Sequence, residues 1–351
     1  MNRSRLVMAA GALTCAGAII SPMSAEAQAS PPATGLHIRV LATGGSSMSN
    51  PDDIATLHGN LFVGFYNGLG AKGEPSKSGA THSDIVEYSP SGQVVASWAI
   101  AGKCDGLGAD PANNRLVATV DEDGNSSPYT IHPSASPSQQ VAHYSYDIAK
   151  LPHGGGTDAI SFAGGHILIS ASAPTAANGP AVYAVSLFGH IAYVTPIFGD
   201  ASSAAVANSG GHSQVTLALT DPDSNEVVPA ASPRFAGDFM LNSQGDEELI
   251  FVHRPNLPGQ SLSVLKISQS IDDTAWATST HGTLYATDNK ANKVFALTGT
   301  WKLGTPLVAV TPSNANTPSK APGYLGTLNM STGSISSLLT TFHPGGMVFV
   351  P

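Results

Sequence analysis

Short runs of alternating apolar and polar residues, broken by Gly, Asn and Asp, fill most of the chain. Residues 272–297 show the unit clearly. An acidic opening, Asp272-Asp273, leads into a strand-like run at 274–278 and a turn at His281-Gly282. A second run at 283–287, a polar turn at 288–292 and a third run at 293–297 follow. β-Branched and aromatic residues suit strands, and the turn residues between them predict an antiparallel meander. The same opening recurs at Pro51-Asp52-Asp53, Cys104-Asp105, Thr157-Asp158 and Thr220-Asp221-Pro222-Asp223, with a degenerate copy at His343-Pro344.

The acidic openings at Asp52, Asp105, Asp158, Asp221 and Asp273 are spaced by 53, 53, 63 and 52 residues, and Pro344 follows after 71. Repeats of about 40–50 residues, each holding four short strands, predict propeller blades. Outer strands are expected at 85–88 with 94–100, at 182–187 with 191–196, and at 294–297 with 307–310. No amphipathic pattern of helical period extends over ten residues after the N-terminal segment. The expectation is an all-β chain folded as a β-propeller of six blades, the long last interval leaving five or seven open. Strand-like runs at 37–41 and 347–350 are expected to share one blade, removing the open seam of the ring.

The first 27 residues read as a signal peptide. Arg3 and Arg5 form a basic start, 6–20 are apolar, and Ala25-Glu26-Ala27 fits a small-x-small cleavage site. The apolar run is shorter than the ~20 residues of a spanning helix, so export to the periplasm, envelope or exterior is expected, with no membrane span. Residues 28–35 read as a linker and 36–351 as a single propeller domain, expected to be a monomer. Cys104 is the sole cysteine beyond the signal segment, which leaves no intramolecular disulfide.

Charged residues make up 11% of the chain, against about 25% in an ordinary globular domain. The net charge is -9 and no basic run occurs, which argues against nucleic acid as a partner. Cations, neutral small molecules, glycans and envelope or extracellular proteins remain. Asp53, Asp105, Asp158, Asp221 and Asp273 each precede an expected innermost strand, and such positions recur around one end of a propeller channel. Converging carboxylates raise one another's pKa or recruit a cation, and oxygen ligands favour Ca²⁺ over Zn²⁺. The competing reading has each Asp capping its own turn.

His153 and His343 lie at blade-opening loops and are the candidate general bases. His58, His166 and His281 fall at equivalent turns and read as surface positions. No G-x-S-x-G elbow and no phosphate loop occurs.

The pattern at 272–297 and 51–68 resembles the six-bladed propellers of the gluconolactonase, NHL-repeat and calcium-dependent phosphotriesterase superfamily. That resemblance implies a six-blade ring. In gluconolactonase-like members it implies a divalent cation at the channel mouth, held by Glu, Asn and Asp from different blades. Asn50-Pro51-Asp52 stands near the place of those enzymes' Glu before Gly-Pro. The function expected is non-catalytic binding of a small molecule, glycan or protein at the channel mouth or one face. The alternatives are a Ca²⁺-dependent lactonase or esterase and a cell-envelope interaction protein.

Overall fold

The computed structural model describes residues 33–124, 126–148, 151–152, 155–173, 178–208, 213–314 and 316–351. Their strands form six sheets, the blades of a propeller. From the axis outward, blade I is Pro51–Leu57, Asn60–Phe65, His82–Tyr88 and Val94–Ala101. Blade II is Cys104–Asp110, Arg115–Val120, Ser127–Ile131 and Val141–His143. Blade III is Thr157–Ala163, His166–Ala171, Pro180–Phe188 and Ile191–Gly199, with Ser145–Tyr146 added parallel at its rim. Blade IV is Pro222–Val227, Phe239–Ser243, Glu248–His253 and Ser261–Lys266, extended by Ser203–Val206 and Gln214–Thr216. Among the described residues helix is confined to short 3-10 turns such as Pro111–Asn113 and Gln244–Asp246. Among the described residues no helix is long and apolar enough to cross a membrane.

The expectation of six blades holds, but the strands of the last two are drawn from the sequence in an unexpected order. Blade V is Ile271–Trp276, Pro306–Val310, Tyr324–Leu328 and Ile335–Leu339. Blade VI is Met347–Val350, His281–Asp288, Lys293–Trp301 and Ala33–Thr43. The stretch read as one three-strand meander is therefore divided. Its first strand lines the channel in blade V, and the hairpin after it crosses into blade VI. Residues 294–297 and 307–310, expected in one blade, lie in two. Alternation cannot distinguish these arrangements, because both seams of a blade present the same apolar pattern to a strand. The two terminal strands do share blade VI, with the hairpin between them. The outermost strand starts at Ala33, so the expected linker contributes its last residues to a sheet.

The core is divided among the seams. Phe62, Ile85 and Trp98 pack on Leu116, Ala118 and Ile131 between blades I and II. Comparable clusters fill the four seams from II to VI. Leu41, Tyr285 and Val294 of blade VI meet Ile54, Leu61 and Val63 of blade I and close the ring. The inner strands thus bury both faces, which explains their nearly continuous apolar runs, while outermost strands such as Val94–Ala101 stay partly exposed.

The innermost strands of blades I to V all break register at their first turn. In each, two residues stand opposite one on the next strand: Asp52-Asp53, Asp105-Gly106, Asp158-Ala159, Asp223-Ser224 and Asp272-Asp273. Such a bulge re-aims its side chains and increases the local twist. The second bulge residue abuts the next blade. At Gly106 an added Cβ would lie 2.3 Å from the Asp158 carbonyl oxygen, so that seam requires glycine.

Truncation of a seam residue should cost far more than truncation at the rim. Phe62→Ala is expected to lower the unfolding free energy by about 3–5 kcal/mol. Phe188, 78% exposed, should lose no more than about 0.5 kcal/mol as Ala. Urea titrations of the two variants against the parent protein measure this difference.

Candidate functional site: an acidic cavity on the channel axis

The bulges determine what faces the axis. Their first residues, Asp52, Asp105, Asp158, Asp223 and Asp272, are structural equivalents from five blades and all line one cavity of about 270 Å³. In blade VI the equivalent place falls to Gly345, where an added Cβ would lie 3.4 Å from Asp272 Oδ2 and 3.7 Å from Asp52 Oδ1. Glu122, from the loop after the second strand of blade II, and Asp221, at the rim before blade IV, complete the acidic wall. The site carries an excess of carboxylates over cations, and Lys103 is the one cationic residue among its described lining residues.

The five residues anticipated from sequence all line this cavity, but they divide into two groups. Asp105 and Asp158 belong to the axial ring. Asp53 and Asp273 occupy the second bulge place and reach across a seam. Asp53 Oδ2 accepts the Leu107 N–H of blade II at 2.8 Å. Asp273 Oδ2 accepts the Met347 N–H of blade VI at 2.5 Å, while its Oδ1 caps the Thr274 N–H at 2.7 Å. These side chains fit because the residue opposite each bulge is small, Gly64 in blade I and Ala309 in blade V. In the next seams the sizes are reversed: Gly106, Ala159 and Ser224 face Thr119, Ser170 and Asn242. There the larger partner bridges the seam. Thr119 Oγ1 donates to the Asp158 carbonyl at 2.6 Å, Ser170 Oγ to the Asp223 carbonyl at 3.1 Å, and Asn242 Nδ2 to the Ile271 carbonyl at 2.7 Å.

Asp221, the remaining anticipated residue, stands two places before the ring with φ 57°. Asp52, Asp223 and Asp272 were missed as ring members because the bulge moves the axial place one or two residues from the expected one. A usable signal existed: each axial Asp directly follows the residue that opens the innermost strand, Pro51, Cys104, Thr157, Pro222 or Ile271. Lys103, Glu122 and Gln244 carried no repeat signal at all.

Desolvation dominates the electrostatics. Burial raises Asp52 to about 7, with Asp272 and Glu122 adding to the rise against the pull of Lys103. Burial likewise holds Asp105, Asp158 and Asp223 well above the usual carboxylate range, reinforced by their acidic neighbours. Asp273 reaches about 7 and Asp221 about 6, again mainly through burial. Gln244 Nε2 bridges two of the ring carboxyls, 2.6 Å from Asp223 Oδ2 and 3.0 Å from Asp272 Oδ1. Lys103 Nζ pairs with Asp105 and with Glu122, and lies 5.4 Å from the centre of the Tyr66 ring. Burial alone would depress this ammonium, but the surrounding carboxylates push it far upward.

A second cavity of about 360 Å³ adjoins the first at the seam of blades VI and I. It shares Asp52, Lys103 and Asp272 with the acidic cavity and adds Tyr66, Lys290 and His343. His343 Nδ1 donates to the Gly323 carbonyl at 2.9 Å, which leaves Nε2 as the acceptor. The other candidate base, His153, lies outside the described residues. His58, His166 and His281 are exposed at their hairpin turns. Cys104 is buried against Gly64.

No protein-family model and no curated protein matches the chain. Solved structures give distant likenesses. The periplasmic gluconolactonase PpgL of Pseudomonas aeruginosa is 12% identical with TM-score 0.45, over 86% of this chain and 89% of that one. A protein of unknown function from Bacteroides thetaiotaomicron is 9% identical with TM-score 0.48, over 87% and 65%. The WD40 propeller domain of Doa1 is 9% identical with TM-score 0.42, over 87% and 86%. The six-blade assignment itself rests on the strand pairing described above.

The raised carboxyls make stability depend on pH in a defined sense. Asp52 and Asp273 titrate at about 7 in the folded chain, against 3.8 as the ordinary value. Between these values the native state binds more protons than the unfolded chain, so stability falls as pH rises from about 4 to about 7. Chelator-treated protein should melt lower at about pH 8 than at about pH 5. Asp52→Asn, which cannot ionise, should melt above the parent protein at the higher pH and lose much of the pH dependence. Thermal scans across the range would show this, and equal melting at both ends would contradict the assignment.

Proposed function

We propose that this protein is a non-catalytic binding propeller whose axial cavity takes up a cation of at least two positive charges. The supporting observation is the ring itself: five blades each deliver one desolvated Asp to the same cavity, with a single Lys as internal counter-ion. Several carboxylates held together in a low dielectric must either keep protons or gain a cation. One further group favours a ligand. Ser224 lines the cavity at 9% exposure, and its hydroxyl has no hydrogen-bond partner among the described residues.

The donor chemistry suits a hard ion, since every acidic ligand offers oxygen. Among the described residues no three His, Cys, Asp or Glu share a metal position, so a bare ion held by carboxylates alone is not the form the site suggests. Divalent ions that retain part of their water shell, and diamines, both meet this charge pattern. Lys103 would compete with such a ligand for Asp105 and Glu122.

A second reading is hydrolysis of a lactone or similar ester. It is favoured by His343, whose Nε2 is held as an acceptor beside the shared wall of Asp52 and Asp272. In that reading the His343 imidazole would activate water, and a cation held by Asp52 and Asp272 would supply the charge that polarises a substrate carbonyl.

Calcium, magnesium and putrescine, each followed by thermal shift on chelator-treated protein, separate these ligands. A ligand that binds the folded state at one hundred times its Kd stabilises by about 2.7 kcal/mol. Asp223→Asn and Asp272→Asn are expected to weaken the effective ligand at least tenfold, and Lys103→Met to strengthen it. Unchanged melting with all three cations would sink the binding proposal. Lactone turnover that disappears in His343→Ala would promote the hydrolytic reading instead.

A further inference from the structure

Below the acidic cavity, the innermost strands of blades IV to VI enclose a separate pocket of about 160 Å³. None of the axial ring carboxylates lines it. Glu226 follows Asp223 by three residues, so at roughly 3.3 Å per residue it stands about 10 Å further along the channel wall. Val227, Pro229, Trp276, Met347 and Phe349 supply an apolar lining, and Glu226 is the one ionisable residue among those described there. An apolar cavity with one or two fixed polar groups is the ordinary form of a small-molecule site.

The Glu226 carboxyl is held in a fixed orientation. Its Oε1 accepts the Trp276 indole N–H at 2.6 Å and the Thr274 hydroxyl. Oε2 takes no hydrogen bond from the described residues. Phe349 is oriented in turn by an edge-on contact with Trp301, at 5.7 Å and 88°. Burial holds the Glu226 carboxyl up at about 8, with Asp273 adding to the rise against the bonds from Thr274 and Trp276. The group therefore lacks a positive partner, and aromatic faces beside it would also attract one.

We infer that this pocket is a second binding site, independent of the acidic ring, for a small organic ammonium with an apolar body. The ammonium pairs with Glu226 Oε2, and the hydrocarbon lies against Trp276 and Phe349. This site does not depend on the cation proposed for the axis, since the two cavities have no described lining residue in common.

Benzylammonium is the probe, with benzyl alcohol as its neutral counterpart, titrated into the full chain and followed by NMR of the indole N–H groups. The Trp276 signal is expected to shift with the cation and not with the alcohol. The Trp98 indole, bonded to Gln140 Oε1 at 2.9 Å in another seam, is the internal control. Glu226→Gln should reduce affinity at least tenfold, whereas Asp158→Asn in the ring should leave it unchanged. An unmoved Trp276 signal, or an equal response to the alcohol, would overturn the inference. The wild-type titration decides this even if Glu226→Gln fails to fold.

Discussion

Two residues opposite one, at the first turn of five innermost strands, is the constraint from which the site follows. A regular strand would send alternate side chains into its two seams. The bulge instead turns one residue toward the axis and presses the next against the neighbouring blade. The axial place is Asp in blades I to V. The seam place is governed by size: Asp53 and Asp273 fit where Gly64 and Ala309 leave room, and Gly106 where Thr119 already reaches across. The same local irregularity therefore positions the acidic ring and joins adjacent blades.

Placing these carboxyls together opposes folding, because each loses water and faces like charges. The seams offset that cost. The inner strands of each blade are buried against both neighbours, in clusters such as Phe62 with Leu116, or Phe239 with Val182. Lys103 and Gln244 relieve part of the repulsion from within. What remains is an electrostatic demand that protons meet at low pH and a cation can meet at high pH.

Ring closure shows where periodic reasoning reaches its limit. Residues 272–297 carry a clean meander pattern, yet Ile271–Trp276 and the hairpin His281–Trp301 belong to different blades. The unbroken apolar runs Leu284-Tyr285-Ala286 and Val294-Phe295-Ala296-Leu297 say that these strands are buried on both sides. They do not say which neighbour the strands pair with. That choice depends on Ala33–Thr43 and Met347–Val350, which flank the hairpin from opposite ends of the sequence.

The sequence by itself determined the all-β class and the blade period, pointed to six blades with five or seven left open, and located the end of the channel at which acidic residues gather. These properties are local or repeated, and turn chemistry, alternation and spacing record them directly. Tertiary structure decided which Asp of each pair faces the axis, since a one-residue bulge reverses that assignment without altering composition. It also decided the roles of Lys103, Glu122, Gln244 and Glu226. Lys103 meets Glu122 only through the fold of blade II, and Gln244 and Glu226 reach Asp272, Thr274 and Trp276 of the next blade.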